Sequence, residues 1–422
     1  MFYNIKLMNS WLIRLHDKKQ LVANFGYLSI LQLLVLSLPL ISYPYLIRVL
    51  GFNTYGHVVF AQTTVAYFSI IINYGFNISA TKDIAENRDD PERMSVILSS
   101  VVLTKFFIWA ILLFCLVILI FFVSPFKENK LLYLFSYGAC FNELLFQQFF
   151  FQGVEKMRYI TIVNVISRLF CFILLFFVIT EESDYLYVPL LNSLGALLGG
   201  SITFYIIICK ESISLHFESF QNIKKVFVES TPFFVSRFSS VVVNRTNTMF
   251  IGAFIGYSEV AYYDLAQKIL SVLLIPFDIV NQVIYPYVVR TKNLQFTKRV
   301  VKVVFICALL IYALLFEFKN NIVTILAGPD MMTAIPIIMI LGVNVILTSQ
   351  NYFLGNTSLV VAGHGKEFNK SVIYCSVFYL FGLSVLFFFD IINIYILSVL
   401  SVLVELLCFC YRLYYVRYYH LF

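Results

Sequence analysis

Residues 96–123 read VILSSVVLTKFFIWAILLFCLVILIFFV, and Lys105 is the only charge among them. About 20 apolar residues, wound as a helix, cross the roughly 30 Å of a bilayer core. No other backbone arrangement suits a lone segment there, because lipid offers no partners to unpaired N–H and C=O groups. The stretch is therefore a membrane span.

The rest of the chain repeats the pattern. Apolar runs fall at 24–50, 57–79, 96–123, 131–152, 159–180, 186–208, 230–255, 263–289, 300–318, 333–362, 369–389 and 391–411. Of the 422 residues, 60% are hydrophobic and 13% charged, about half the charged share of a soluble domain. One water-soluble core could not hide so much apolar surface. The expected fold is an all-α, polytopic membrane protein with about twelve transmembrane helices.

Charge placement orients the chain. The first span follows Lys6, Arg14, Lys18 and Lys19, with no small-residue cleavage site after it, so it reads as a retained helix. Most of the Lys and Arg then fall on inside segments, and only Lys127, Lys130 and Lys319 on outside loops, which predicts both termini in the cytoplasm. The net charge of +7 follows from these loops, and no soluble module exists to carry a nucleic-acid patch. The largest inside connection, near 209–229, suggests a split into an N-terminal lobe (1–210, helices 1–6), a linker (211–229) and a C-terminal lobe (230–422, helices 7–12). Weak internal matches agree. Gly51-Phe52 and Ala61-Gln62 recur 205 residues later as Gly256-Tyr257 and Ala266-Gln267. A parallel repeat of two six-helix lobes around a central cavity is the expected result.

Ionisable side chains inside a membrane are costly and mark wet surfaces. In YYDLAQKILSVLLIPFDIVNQVIYPYVVR (262–290), Asp264, Gln267, Lys268, Ser271, Asp278 and Gln282 share one face at 100° per residue. Pro276 and Pro286 are expected to interrupt this helix. The plain alternative for Asp264 and Lys268 is a local i, i+4 pair. Span seven offers Arg237, Asn244, Arg245 and Asn247, with snorkelling as the competing account of Arg237. The many Asn, Gln and Ser, Asn73 and Asn351 among them, also serve as interhelical glue. Arg48 near the outer face asks for an anion or an acidic partner. Arg48, Lys105, Arg168, Arg237, Arg245 and Lys268 outweigh Glu143, Asp264, Asp278 and Glu405, so an anionic cargo is expected.

Other chemistry finds little support. The eight Cys form no C-x-x-C and the five His are scattered, so no metal site is expected. Gly363-His364-Gly365-Lys366 only grazes a nucleotide loop, Asp89-Asp90-Pro91-Glu92 reads as a solvated turn, and no catalytic triad can be assembled. No enzyme activity and no cofactor are expected.

Several strings resemble the O-antigen (Wzx-type) flippases of the polysaccharide transporter family, within the multidrug/oligosaccharidyl-lipid/polysaccharide exporter superfamily. They are PYLIRVLGFNTYG, INYGFNISATKDIAENRDD, FFFQGVEKMRYIT and NRTNTMFIGAFIGYSEVAYYDLAQK, covering roughly residues 20–300. The resemblance implies alternating access in a bacterial inner membrane, with an undecaprenyl-pyrophosphate-linked O-antigen repeat unit as cargo. H⁺ or Na⁺ coupling and contact with a polysaccharide polymerase and chain-length regulator are further implications. Arg48 carries over from PYLIRVLG, and Lys82 from SATKDIA, where an Arg is expected. Together these readings assign substrate binding to Arg48, Lys82, Arg237, Asn244, Arg245, Gln267, Lys268 and Gln282, and ion coupling to Asp264 and Asp278. The rivals are a multidrug antiporter of the same two-lobe fold and, less well supported, an O-antigen polymerase or ligase.

Overall fold

The computed structural model describes the backbone of residues 2–211 and 213–421, and their side chains except at 1–25, 27–34, 36, 125, 236, 240, 244 and 286. Every regular element among the described residues is helical. Among the described residues, ten helices are long and apolar enough to cross a membrane by length and composition.

Two features account for the difference from about twelve expected crossings. Ser37–Glu86 is 50 residues long and holds most of spans one and two, which meet at Gly51 (φ 72, ψ 161). Only glycine adopts that conformation without strain. Span four, expected as one helix over 131–152, is instead a chain of short pieces. Lys130–Tyr137 leads through a 3₁₀ turn into Phe141–Leu145, the backbone extends at Phe146 (φ −84, ψ 95), and Gln148–Gly153 resumes. No piece is long enough to count alone.

Elsewhere the apolar runs become long helices. Asp90 caps Pro91–Phe122 by accepting from the Arg93 N–H at 3.0 Å, so the acidic turn at 89–92 starts a helix. The second copy of the Gly-aromatic pair behaves like the first: Gly256 (φ 158, ψ 166) separates Phe220–Phe254 from Tyr257–Thr291. Tyr257–Thr291 runs on through Pro276 and Pro286, so the expected interruption reduces to two lost backbone donors within one helix. Span ten begins as Ile335–Tyr352 and widens into a π-helical stretch, Phe353–Val360.

The chain forms two compact units. One comprises Met1–Pro39, Phe68–Val178 and Leu186–Phe234; the other comprises Leu40–Tyr67, Ile179–Tyr185 and Val235–Phe422. In the first, consecutive Phe149, Phe150 and Phe151 are all buried against Phe76, Leu98 and Ile160. Gly153 lets this short helix close on Ile84, whose Cγ2 lies only 2.5 Å from where a Cβ would sit. In the second, Leu270, Phe277, Val304, Val345 and Phe353 form a core.

Candidate functional site

The polar stripe of Tyr257–Thr291 divides into three parts. At its start, Lys268 pairs with Asp264 one turn earlier and donates to the Tyr55 hydroxyl at 2.8 Å. Tyr55 in turn donates to the same Asp264 oxygen at 2.8 Å. The ammonium also lies 5.0 Å from the Tyr43 ring centre and 5.5 Å from that of Tyr55. Side-chain exposure is only 21% for Lys268 and 17% for Asp264. This is a closed, neutralised cluster, as the local-pair alternative requires.

The middle of the stripe holds the fold together. Gln267 donates to the Tyr263 hydroxyl at 3.0 Å. Asn247, 1% exposed, shares its two Nδ2 hydrogens among Tyr263 (2.9 Å), Ser401 (2.6 Å) and the Leu397 carbonyl (3.1 Å), and accepts from Tyr379 at 2.6 Å. Four helices converge on that one amide. Farther along, Gln282 donates to Asp278 at 3.0 Å, and both side chains are half-buried.

The arginines of Phe220–Phe254 differ from all of these. Arg237 and Arg245 are exposed, and neither makes a hydrogen bond or ion pair with the described residues. Eight residues apart, they sit about 12 Å from each other along the helix and about 80° around it. In the first unit Arg168, within Met157–Val178, is likewise exposed and unbonded among the described residues. The Asn244 side chain lies outside the described residues. Arg48 donates to the Ile325 carbonyl at 2.9 Å, in the last turn of Leu294–Ala327. A cation there satisfies an orphan carbonyl and the negative helix end. Lys82 sits on the short helix Phe76–Glu86, mostly exposed, 3.7 Å from Glu86.

A cavity of about 300 Å³ inside the second unit was not foreseen. Glu405 accepts from Asn351 at 2.7 Å on its wall. Buried Arg412 donates to Ser371 at 3.0 Å and to the Asn351 carbonyl at 2.8 Å. Glu405, already one of the deep acids of the sequence, and Arg412 are seven residues apart on one helix, a spacing that places both on one face. The volume matches the low end for drug-sized ligands, roughly 300–1,000 Å³, and is too small for a lipid-linked oligosaccharide head. Among the described residues no group of three or more His, Cys, Asp or Glu is placed to hold a metal ion.

Comparison with known proteins agrees with this architecture. The family profile described as "Polysaccharide biosynthesis protein" matches residues 21–292. A protein of Escherichia coli (strain K12) named "Putative O-antigen transporter" is 28% identical over 381 residues, covering 88% of this chain and 92% of its own. A protein of the same name from Shigella dysenteriae is 27% identical over 266 residues, covering 62% of this chain and 65% of its own. Among solved structures, the lipid II flippase MurJ in an inward closed conformation superposes with a TM-score of 0.76 at 14% identity, covering 92% of this chain and 87% of its own. An inward-facing multidrug resistance MATE family transporter of the MOP superfamily gives 0.69 at 13% identity, covering 93% and 98%. The expected polytopic helical fold is that of these transporters.

Proposed function

We propose, for a chain that belongs to the polysaccharide biosynthesis protein family, that it is a flippase. It carries an undecaprenyl-pyrophosphate-linked O-antigen repeat unit across the inner membrane by alternating access. The observation that carries this reading is the pair Arg237 and Arg245: two exposed guanidiniums on a membrane-spanning helix, with no carboxylate among the described residues bonded to either. Facing lipid, each would cost several kcal/mol. Facing a water-filled passage they are affordable, and in a low dielectric they attract a pyrophosphate or acidic sugar strongly. The names of the two O-antigen transporters and of the lipid II flippase support the same class of cargo.

Lys268 enters the proposal as a brace, because Asp264 already neutralises it and Tyr55 accepts a hydrogen bond from it. Asp278, half-buried beside Gln282, is the proposed site for H⁺ or Na⁺ among the acids of this helix. The test is Arg245→Ala in cells lacking the native gene. Surface O-antigen should fall while the protein stays in the membrane at normal level and the lipid-linked unit accumulates inside. Normal display would defeat the assignment. A drug-efflux phenotype with intact glycan would favour the multidrug reading that the MATE likeness also permits.

A further inference from the structure

The proposed function leaves several charged groups unused, and Lys105 is the most deeply buried of them among the described residues. Lys105 is 0% exposed. It sits in the middle of Pro91–Phe122, about 21 Å of helix from the first residue and about 26 Å from the last. Removing an ammonium from water costs several kcal/mol unless a counter-charge and hydrogen bonds replace the solvent. Lys105 has few replacements. Of its three N–H donors, one reaches Gln147 Oε1 at 3.2 Å, and the ammonium lies 5.4 Å from the centre of the Phe149 ring. Among the described residues no carboxylate lies within ion-pairing distance. Among the described residues the charge that acts on it is Glu143, and an oxygen of Glu143 is already held by Asn73 Nδ2 at 2.7 Å.

This arrangement stands at the break in span four. Phe141–Leu145 ends where the backbone extends at Phe146, and Gln147, fully buried, bridges the gap. Its Nε2 donates to the Leu144 carbonyl while its Oε1 accepts from Lys105. A helix that ends inside the bilayer leaves free carbonyls and a negative dipole end, and the ammonium supplies positive charge there. The break and the cation therefore stabilise each other. A neutral amine would keep the Gln147 contact but lose the attraction to Glu143 and to the helix end.

We propose that Lys105 is a proton-binding group of the first unit, and that the break in span four tightens when it is protonated and loosens when it is not. The balanced step is small: one proton joins the amine lone pair and later leaves to water, with no other bond changed. Other titratable or charged groups on elements packed against this helix are Lys130, Tyr133 and Tyr137 on Lys130–Tyr137, the last donating to the Trp109 carbonyl, Lys127 on Ser124–Lys127, Lys82, Asp83 and Glu86 on Phe76–Glu86, and the pair His216 and Glu218 in the stretch whose His216 N–H donates to Ser99. Its consequence for transport rests on the flippase reading; the proton site itself does not.

The test is backbone amide exchange of peptides spanning 141–153 in the purified full chain. The scan runs from about pH 6 to about pH 10, a range that includes titration of a desolvated lysine. After correction for intrinsic exchange, protection should fall as pH rises in the wild type. It should stay flat in Lys105→Arg, which keeps its charge throughout, and Glu143→Gln should move the midpoint to lower pH. A flat wild-type profile, or a Lys105→Arg profile that follows the wild type, would overturn the proposal. In cells, Lys105→Arg should reach the membrane yet lower O-antigen display by at least about tenfold, within the range of ordinary coupling between sites. Normal display in that variant, in a strain where deleting the gene abolishes display, would overturn the site's part in transport. If deleting the whole gene leaves surface glycan unchanged while the pH-dependent protection persists, the proton site stands and the cargo assignment falls.

Discussion

Replacing Asp264 by Ala removes the counter-charge of Lys268 and leaves a cation whose side chain is only 21% exposed. Breaking a fully buried ion pair from one side costs about 3–5 kcal/mol. The site is about four-fifths buried, and the Tyr55 hydroxyl and two aromatic faces still hold the ammonium. Such faces contribute up to about 2 kcal/mol when desolvated. A loss of about 2–3 kcal/mol is expected for Asp264→Ala alone. The double variant Asp264→Asn with Lys268→Met removes both charges and keeps the volume, so it should recover most of that loss. Denaturant titration of the purified chain measures the stability, and surface glycan staining measures transport. If Lys268 is a brace, the double variant is both stable and active. A stable but inactive double variant would refute the reasoning and return Lys268 to the cargo path. An unchanged Asp264→Ala would show that the cluster is not closed.

Other consequences can be checked in parallel. Asn247→Ala removes the acceptor of the buried Tyr379 hydroxyl and a donor to Tyr263 and Ser401, so it should cost about 1–3 kcal/mol in denaturant titration, with Asn247→Asp only partly better. Gly56→Ala puts a methyl 1.7 Å from the Tyr257 carbonyl oxygen, and membrane-inserted, monodisperse protein should fall sharply by size-exclusion chromatography. Arg48→Ala should cost about 0.3–1 kcal/mol, as expected for a cation at a helix end, and should leave O-antigen display intact; strong loss of display at normal protein level would mean that Arg48 does more than cap Leu294–Ala327.

Much of the fold was legible because the bilayer enforces helices and length. Gly51 and Gly256 were also visible in advance as a repeated pair, and both occupy backbone conformations suited to glycine. The break in span four was not. The string ELLFQQFFFQG contains no Pro or Gly at Phe146, so no local signal ends the helix there. The buried Gln147–Lys105 contact that occupies the gap is tertiary. The site was readable only in part. Polar periodicity found the stripe on Tyr257–Thr291, but could not tell which members point at partners. Asp264 and Lys268 neutralise each other and Gln267 joins a network, whereas Arg237 and Arg245 stay unbonded. Arg48 was expected to meet an anion or an acid and instead meets a backbone carbonyl, a partner that charge counting does not reveal. Glu405 and Arg412 line a cavity made by three other segments as well as their own, so spacing alone gave no shape.

The central claim is that the positive side chains of Phe220–Phe254 face water. Cysteine placed at 237 or 245, in a chain whose eight native cysteines are replaced, tests it directly. A membrane-impermeant, charged thiol reagent modifies only a thiolate that water can reach. Rapid modification at both positions, slowed by added pyrophosphate-lipid, is the expected result. If neither position reacts while a lipid-soluble maleimide labels both, the arginines face hydrocarbon and the account fails.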